Sequence, residues 1–209
     1  MVVIGNNIIN LRNESNFHVS YNNAPDKYFT AGELIFADLC HDFSGLACMW
    51  AMKICAYKCM LKLGLHQSFV PKEYHVTLEK DNGYVEGKVF FRHFIFYTKC
   101  IDDENFIRCV ATNHPEKLNL IKSFHLRFKN KKTDKYDIIA QKIRHFTNTS
   151  PLLLHKLKKN IPVLTNLDFS QMLELSLTKT GQLYYVSVLP EWYQVNADVK
   201  KNKDSAVYA

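Results

Sequence analysis

The chain has 209 residues, of which 47% are hydrophobic and 22% charged, and its formal net charge is +7 at pH 7. Its 14 Phe and 11 Tyr supply the large apolar groups of a packed core, which excludes a chain disordered over most of its length. No apolar run approaches the roughly 20 residues of a membrane-spanning helix, and the first residues lack the pattern of a secretory signal. We therefore expect an intracellular protein of the cytoplasm or nucleus.

The first element predicted along the chain is a long helix over about 43–65. An apolar stripe runs from Leu46 to Leu65, with Asp42 or Ser44 as the expected cap. Its three cysteines, Cys48, Cys55 and Cys59, lie at the spacing of one helix face. We expect them to be reduced and buried, and we expect no metal ion because the chain lacks a closely spaced cysteine pair.

After Pro71 the sequence pattern changes to a period of two with β-branched and aromatic residues. This pattern predicts strands over 74–80, 85–97 and 106–112, with a hairpin turn at Asp81-Asn82-Gly83. Such a series of strands is typical of an antiparallel meander.

The last third of the chain is predicted to hold shorter elements, and no internal repeat is visible in the chain as a whole. We expect a strand over 120–128, helices over 136–146 and 151–157, and a hairpin of 173–177 with 183–188. The sequence therefore predicts an α+β fold, in which one long helix packs on a mainly antiparallel β-meander with shorter helices and a C-terminal hairpin. One globular domain is expected over 1–195, followed by a flexible basic tail over 196–209.

Three histidines are each followed, two residues later, by a residue with a hydroxyl group. On a strand, such side chains share a face, and two facing pairs can hold a phosphate between an acid and a base without a metal ion. The candidate catalytic pairs are His18 with Ser20, His75 with Thr77, and His145 with Thr147.

Two resemblances to known families follow from these patterns. Leu63-Gly-Leu65, Phe69-Val-Pro71 and Tyr74-His-Val-Thr-Leu78 together resemble the second motif of the two-histidine, LigT-like phosphoesterases. This resemblance implies hydrolysis of nucleotide or RNA phosphodiesters, with His75 and either His18 or His145 as acid and base. The order of a long helix and a meander resembles the hot-dog fold of acyl thioesterases, which implies acyl binding.

Positive charge is concentrated between residues 117 and 160, where twelve lysines and arginines face two aspartates. Such a segment can bind a polyanion by releasing counterions, and its aromatic residues can stack on unpaired bases. The predicted anion-binding residues are Lys129, Lys131, Lys132, Lys135, Lys156, Lys158 and Lys159.

The leading hypothesis is a basic binding module for nucleic acid or another polyanion. A metal-independent phosphodiesterase, an acyl-binding protein and a self-associating structural protein remain as alternatives. No cofactor is expected, since no glycine-rich phosphate loop is present.

Overall fold

A computed structural model of the chain describes residues 1–11, 24–39, 43–65, 67–81, 84–103, 105–128, 135–147, 152–156, 162–167 and 169–194. The chain divides into two compact units, Met1–Asn119 and Leu120–Ala209, here called unit 1 and unit 2. A compact unit is not the same as an independently folding domain, so the single domain expected over 1–195 stays a prediction.

Unit 1 consists of a five-stranded sheet and two α-helices. All neighbouring strands are antiparallel, and their order in the sheet is β1-β5-β4-β3-β2. In chain order the elements are β1 (Ile4–Asn10), α1 (Ala31–Leu39), α2 (Phe43–Lys62), β2 (His75–Asp81), β3 (Tyr84–Phe91), β4 (Phe94–Asp103) and β5 (Phe106–Thr112). Single 3-10 helices lie at Pro25–Lys27, Pro71–Glu73 and Pro115–Leu120.

Helix α2 forms the core of unit 1 with one face of this sheet. Its small and sulfur-containing side chains let it lie close to the strands, and a Cβ added to Gly5 would collide with the backbone carbonyl of Cys55. The helix ends at Lys62, and Gly64 follows with a φ of +83°, the left-handed conformation typical of a glycine that caps a helix C-terminus. The Leu65 N–H then donates to the Met60 carbonyl at 3.1 Å, which completes the cap.

Unit 2 has the same arrangement of strands around one packed helix. Its strand order is β6-β10-β9-β8-β7, again with all neighbours antiparallel, and α3 packs on one sheet face through Ile139 and Ile143. The elements are β6 (Lys122–Arg127), α3 (Lys135–Thr147), β7 (Leu152–Lys156), β8 (Pro162–Asn166), β9 (Gln171–Thr180) and β10 (Leu183–Gln194).

The two units share one topology. Each begins with a strand, continues through helix and then four strands in sequence, and pairs its first strand with its last. The structure therefore contains a repeat of topology that the sequence analysis did not find.

The α+β class and the long helix are confirmed, whereas two predicted elements are wrong. The strand over 85–97 is in fact β3 and β4, separated by a turn at Arg92-His93. The helix expected over 151–157 is strand β7, because pairing with β8 overrides the helix propensity of its leucines. The sequence analysis also missed β1, α1 and β8.

Candidate nucleic-acid interface

Helix α3 presents basic side chains on the side that does not face the sheet of unit 2. Ile139, Ala140 and Ile143 are buried against the strands, whereas Lys142 and Arg144 are exposed. The apolar residues recur at three- and four-residue spacing, so the helix has one apolar face and one polar face. The outer face is therefore free to contact a ligand.

At the N-terminal end of α3, two lysines lie beside one aromatic ring. The Nζ atoms of Lys135 and Lys179 are each 5.8 Å from the centre of the Tyr184 ring. Phe128 contacts the same ring edge-on, with the ring centres 5.2 Å apart. Both ammonium groups are close enough for cation–π attraction, which holds two positive charges at one place.

At the C-terminal end of α3, a third lysine lies beside an exposed ring. Lys142 Nζ is 5.5 Å from the centre of the Phe146 ring, and Phe146 is 46% exposed. Phe124 of β6 supports this ring from the sheet at 5.3 Å. Phe146 thus combines a packed side with a side open to solvent, as a stacking residue requires.

Strand β6 forms one edge of the sheet and extends the basic surface. Phe124 and Leu126 face the helix, and the exposed Lys122 lies on the same side of the strand, whereas His125 and Arg127 point to the opposite face of the sheet. We call Lys135, Lys142 and Arg144 of α3, Lys122 of β6 and Lys179 of β9, together with Tyr184 and Phe146, the basic surface of unit 2.

These cations are not neutralised by nearby acids. In the part of the chain that the structure describes, Lys122, Arg127, Lys135, Lys142, Arg144 and Lys179 form no ion pair. In unit 1, by contrast, Lys99 lies 3.1 Å from Glu86 and Lys53 lies 2.7 Å from Glu33. The basic surface of unit 2 therefore keeps its charge available for an anion.

Only part of the predicted anion site falls on described residues. Lys135 belongs to the basic surface, and Lys156 lies in β7 with its side chain outside the described set. Lys179 and Tyr184 were missed by the sequence analysis because they lie outside the segment of concentrated charge. Lys129, Lys131, Lys132, Lys158 and Lys159 lie outside the described residues, as do the tail over 196–209 and Asp42.

The three predicted pairs of a histidine and a hydroxyl residue differ in their structural setting. His75 and Thr77 are both exposed and point to the same side of β2, as predicted. His145 and Thr147 lie on α3, where residues two positions apart do not share a face, and Thr147 Oγ1 donates to the Ile143 carbonyl at 3.0 Å. His18 and Ser20 lie outside the described residues.

Unit 1 contains a buried ion pair whose hydrogen bonds join several segments. Lys53 Nζ donates to Glu33 Oε2 at 2.7 Å, to the Tyr28 carbonyl at 3.1 Å and to the Pro71 carbonyl at 3.0 Å. Glu33 in turn accepts from the Val76 N–H at 2.8 Å. Since every Lys53 donor has an acceptor, this pair is a structural connection and not a vacant binding site.

Five of the described cysteines of unit 1 are buried and form no disulfide: Cys48, Cys55, Cys59, Cys100 and Cys109. Burial raises the pKa of Cys109 well above its usual value, and the neighbouring Cys100 and Cys55 thiols add to this effect. The Cys109 thiol is therefore protonated and poorly nucleophilic at neutral pH. Among the described residues, no group of three or more histidine, cysteine or acidic side chains has the arrangement of a metal site.

A second lysine of α2 is also partly desolvated. Lys58 Nζ donates to the Asn6 carbonyl at 2.6 Å. Burial lowers the pKa of Lys58 to about 8, which the nearby Cys55 only partly offsets. Lys58 thus connects α2 to the edge strand β1.

No protein-family model matches the chain, and no similar curated protein or solved structure is found. Among the helices in the described ranges, none combines the length and apolar character needed to cross a membrane.

Proposed function

We propose that the chain is a basic binding module for nucleic acid or another polyanion, and that the basic surface of unit 2 makes the contact. One observation supports this proposal most directly. Lysines of α3 and β9 lie beside partly exposed aromatic rings and form no ion pairs within the described residues.

Phosphate binding at this surface would be driven by the release of condensed counterions, which requires unneutralised lysines and arginines. Lys135 and Lys142 are seven residues apart on α3, or roughly 10 Å along its axis. They can therefore contact different phosphates of one strand. Phe146 and Tyr184 add ring surfaces beside these charges.

Reversing two of these charges tests the proposal. We expect Lys135→Glu/Lys142→Glu to weaken binding of a fluorescein-labelled 20-nucleotide RNA at least tenfold in about 100 mM salt, because each glutamate removes one phosphate contact and adds repulsion. The slope of log affinity against log salt should also fall by about 1.5. Fluorescence anisotropy between 50 and 200 mM salt measures both quantities.

The matched control is Lys27→Glu/Lys72→Glu, which makes the same change of net charge at two exposed lysines of unit 1. We expect this variant to lose less than threefold in affinity. An equal loss in the two variants would attribute binding to net charge and would contradict an interface on α3.

A two-histidine phosphoesterase is the second candidate, favoured by the exposure of His75 and Thr77 on one face of β2. Scoring RNA cleavage in the same binding reactions, with EDTA present, tests this candidate. Metal-independent cleavage that His75→Ala abolishes and His93→Ala preserves would support it. Binding without cleavage would remove it.

A further inference from the structure

The sheet of unit 1 has one face turned away from α2, and this face is open at β2, β3 and β4. Val76, Val89, Phe91 and Phe96 point toward the helix and belong to its core. The alternate residues therefore point to the opposite side, where His75, Thr77, Lys88 and Ile95 are exposed.

Strand register arranges the open face in cross-strand rows. His75 pairs with Phe90, which pairs with Ile95, and these residues form the first row. In the second row, Thr77 pairs with Lys88, which pairs with Tyr97. Directly opposed side chains lie about 5 Å apart and diagonal ones about 7–8 Å apart, so both aromatic rings lie within one small surface.

The side chains of these two rows have no partner within the described structure. The side chains of His75, Thr77, Lys88, Phe90 and Tyr97 make no hydrogen bond, ion pair or ring contact there. Phe90 and Tyr97 are partly exposed, although the neighbouring Val89 and Phe96 are completely buried. Large rings left partly in water on an open sheet have apolar surface that a flat ligand can cover.

The charges of these two rows favour an anionic ligand that carries flat groups. Lys88 and His75 are the basic groups of the two rows, and neither row contains a carboxylate. Glu79 and Glu86 lie in the next row, where Glu86 is paired with Lys99 at 3.1 Å. Aromatic rings can stack on a base, and the ammonium group of Lys88, which forms no ion pair within the described residues, can contact the phosphate beside that base.

We propose that this face binds unpaired bases of a single-stranded nucleic acid, with Phe90 and Tyr97 as stacking residues and Lys88 as a phosphate contact. The inference rests on the proposed function and restricts the preferred ligand to single strands. A duplex keeps its bases stacked inside and cannot offer them to these rings. Unit 1 would thus discriminate for single strands, while the basic surface of unit 2 contributes charge.

Replacing each ring by an apolar side chain without a π-face tests the proposal. We expect Phe90→Leu and Tyr97→Leu each to weaken binding of a 20-nucleotide single-stranded RNA about tenfold. Heparin is a polyanion without bases, so its affinity should change less than twofold. Tyr97→Phe keeps the ring and should bind RNA like the wild type. Ile101→Ala removes an apolar side chain from the same face without removing a ring, and it serves as the control for surface changes.

Equal losses for RNA and heparin, or no loss for RNA, would overturn the stacking proposal. If Lys135→Glu/Lys142→Glu still weakens RNA binding in that case, the proposed function survives and only this inference fails. If the wild-type protein binds neither RNA nor heparin, the proposed function itself fails.

Photo-crosslinking of the wild-type protein gives a test that does not depend on variant stability. Single-stranded RNA substituted with 5-iodouridine crosslinks to aromatic side chains in contact with its bases, and mass spectrometry locates the attached residue. We expect crosslinks at Phe90 or Tyr97. Crosslinks confined to unit 2 would contradict the proposal.

Discussion

Lys53 holds an ammonium group in the interior of unit 1, where solvent does not reach it. Burial lowers the pKa of Lys53, and the hydrogen bond and negative charge of Glu33 oppose this effect. Glu33 also caps α1, since the Thr30 N–H donates to its Oε2 at 2.8 Å and its own N–H donates to Thr30 Oγ1 at 3.3 Å. One carboxylate therefore connects α1, α2 and β2.

Removing only one charge of this pair should destabilise the fold strongly. We expect Lys53→Met to lower the free energy of unfolding by about 3–5 kcal/mol, because it leaves a buried carboxylate without its cation. Urea denaturation followed by circular dichroism measures the change.

The double variant Glu33→Gln/Lys53→Met removes both charges and should regain at least about 2 kcal/mol of that loss. Lys27→Met, at an exposed lysine, should change the stability by less than about 0.5 kcal/mol. If the single and double variants prove equally unstable, lost packing and not the uncompensated charge is the cause.

At the scale of elements, the contact between α2 and β1 depends on a glycine. A methyl group at Gly5 has no room beside the Cys55 carbonyl, whereas one at Gly32 of α1 meets no atom within 4 Å. We expect Gly5→Ala to destabilise the protein by about 1–3 kcal/mol by forcing helix and strand apart. Gly32→Ala should instead be neutral or stabilising by up to about 1 kcal/mol through helix propensity. Thermal unfolding of the two variants compares them, and equal melting temperatures would contradict this close approach.

Elements with a strong periodic pattern were predictable, and elements shaped by distant contacts were not. The apolar stripe of α2 and the Thr180-Gly181 turn define their elements locally, and the structure confirms both. Strand β1 contains Gly5-Asn6-Asn7, which is typical of a turn, and only pairing with β5 makes it a strand. Strand β7 likewise depends on β8.

The candidate stacking site was missed because of one turn. In a continuous strand over 85–97, Phe90 and Tyr97 are seven residues apart and would point to opposite faces. The turn at Arg92-His93 reverses the chain and brings both rings to the same face. Arg92 adopts a φ of +53° there without the glycine or asparagine that usually indicates such a turn. The charge of unit 2, by contrast, was visible in the sequence.

At the scale of the whole molecule, each unit has its own hydrophobic cluster and one tryptophan, Trp50 in unit 1 and Trp192 in unit 2. Single-tryptophan variants, Trp192→Phe and Trp50→Phe, therefore report on one unit each. For each variant, we compare the urea midpoint detected by tryptophan fluorescence with the midpoint of the same variant detected by circular dichroism, which follows the whole chain. We expect the two midpoints to coincide in both variants, because the single domain predicted over 1–195 requires one unfolding transition. Separate midpoints would show that each core unfolds by itself.

Helices α2 and α3 have equivalent places in the topology that the two units share, but they tolerate amino-acid substitution in evolution to different degrees. The outer side of α2 is committed to structure, since Trp50 and Tyr57 each contact Phe69, with ring centres 5.6 and 5.0 Å apart. The outer positions of α3, such as Gln141 and Arg144, are exposed and can be exchanged without disturbing a core. Related chains should therefore keep α2 nearly constant and diverge on the outer face of α3, where new ligand preferences can arise at little cost to folding.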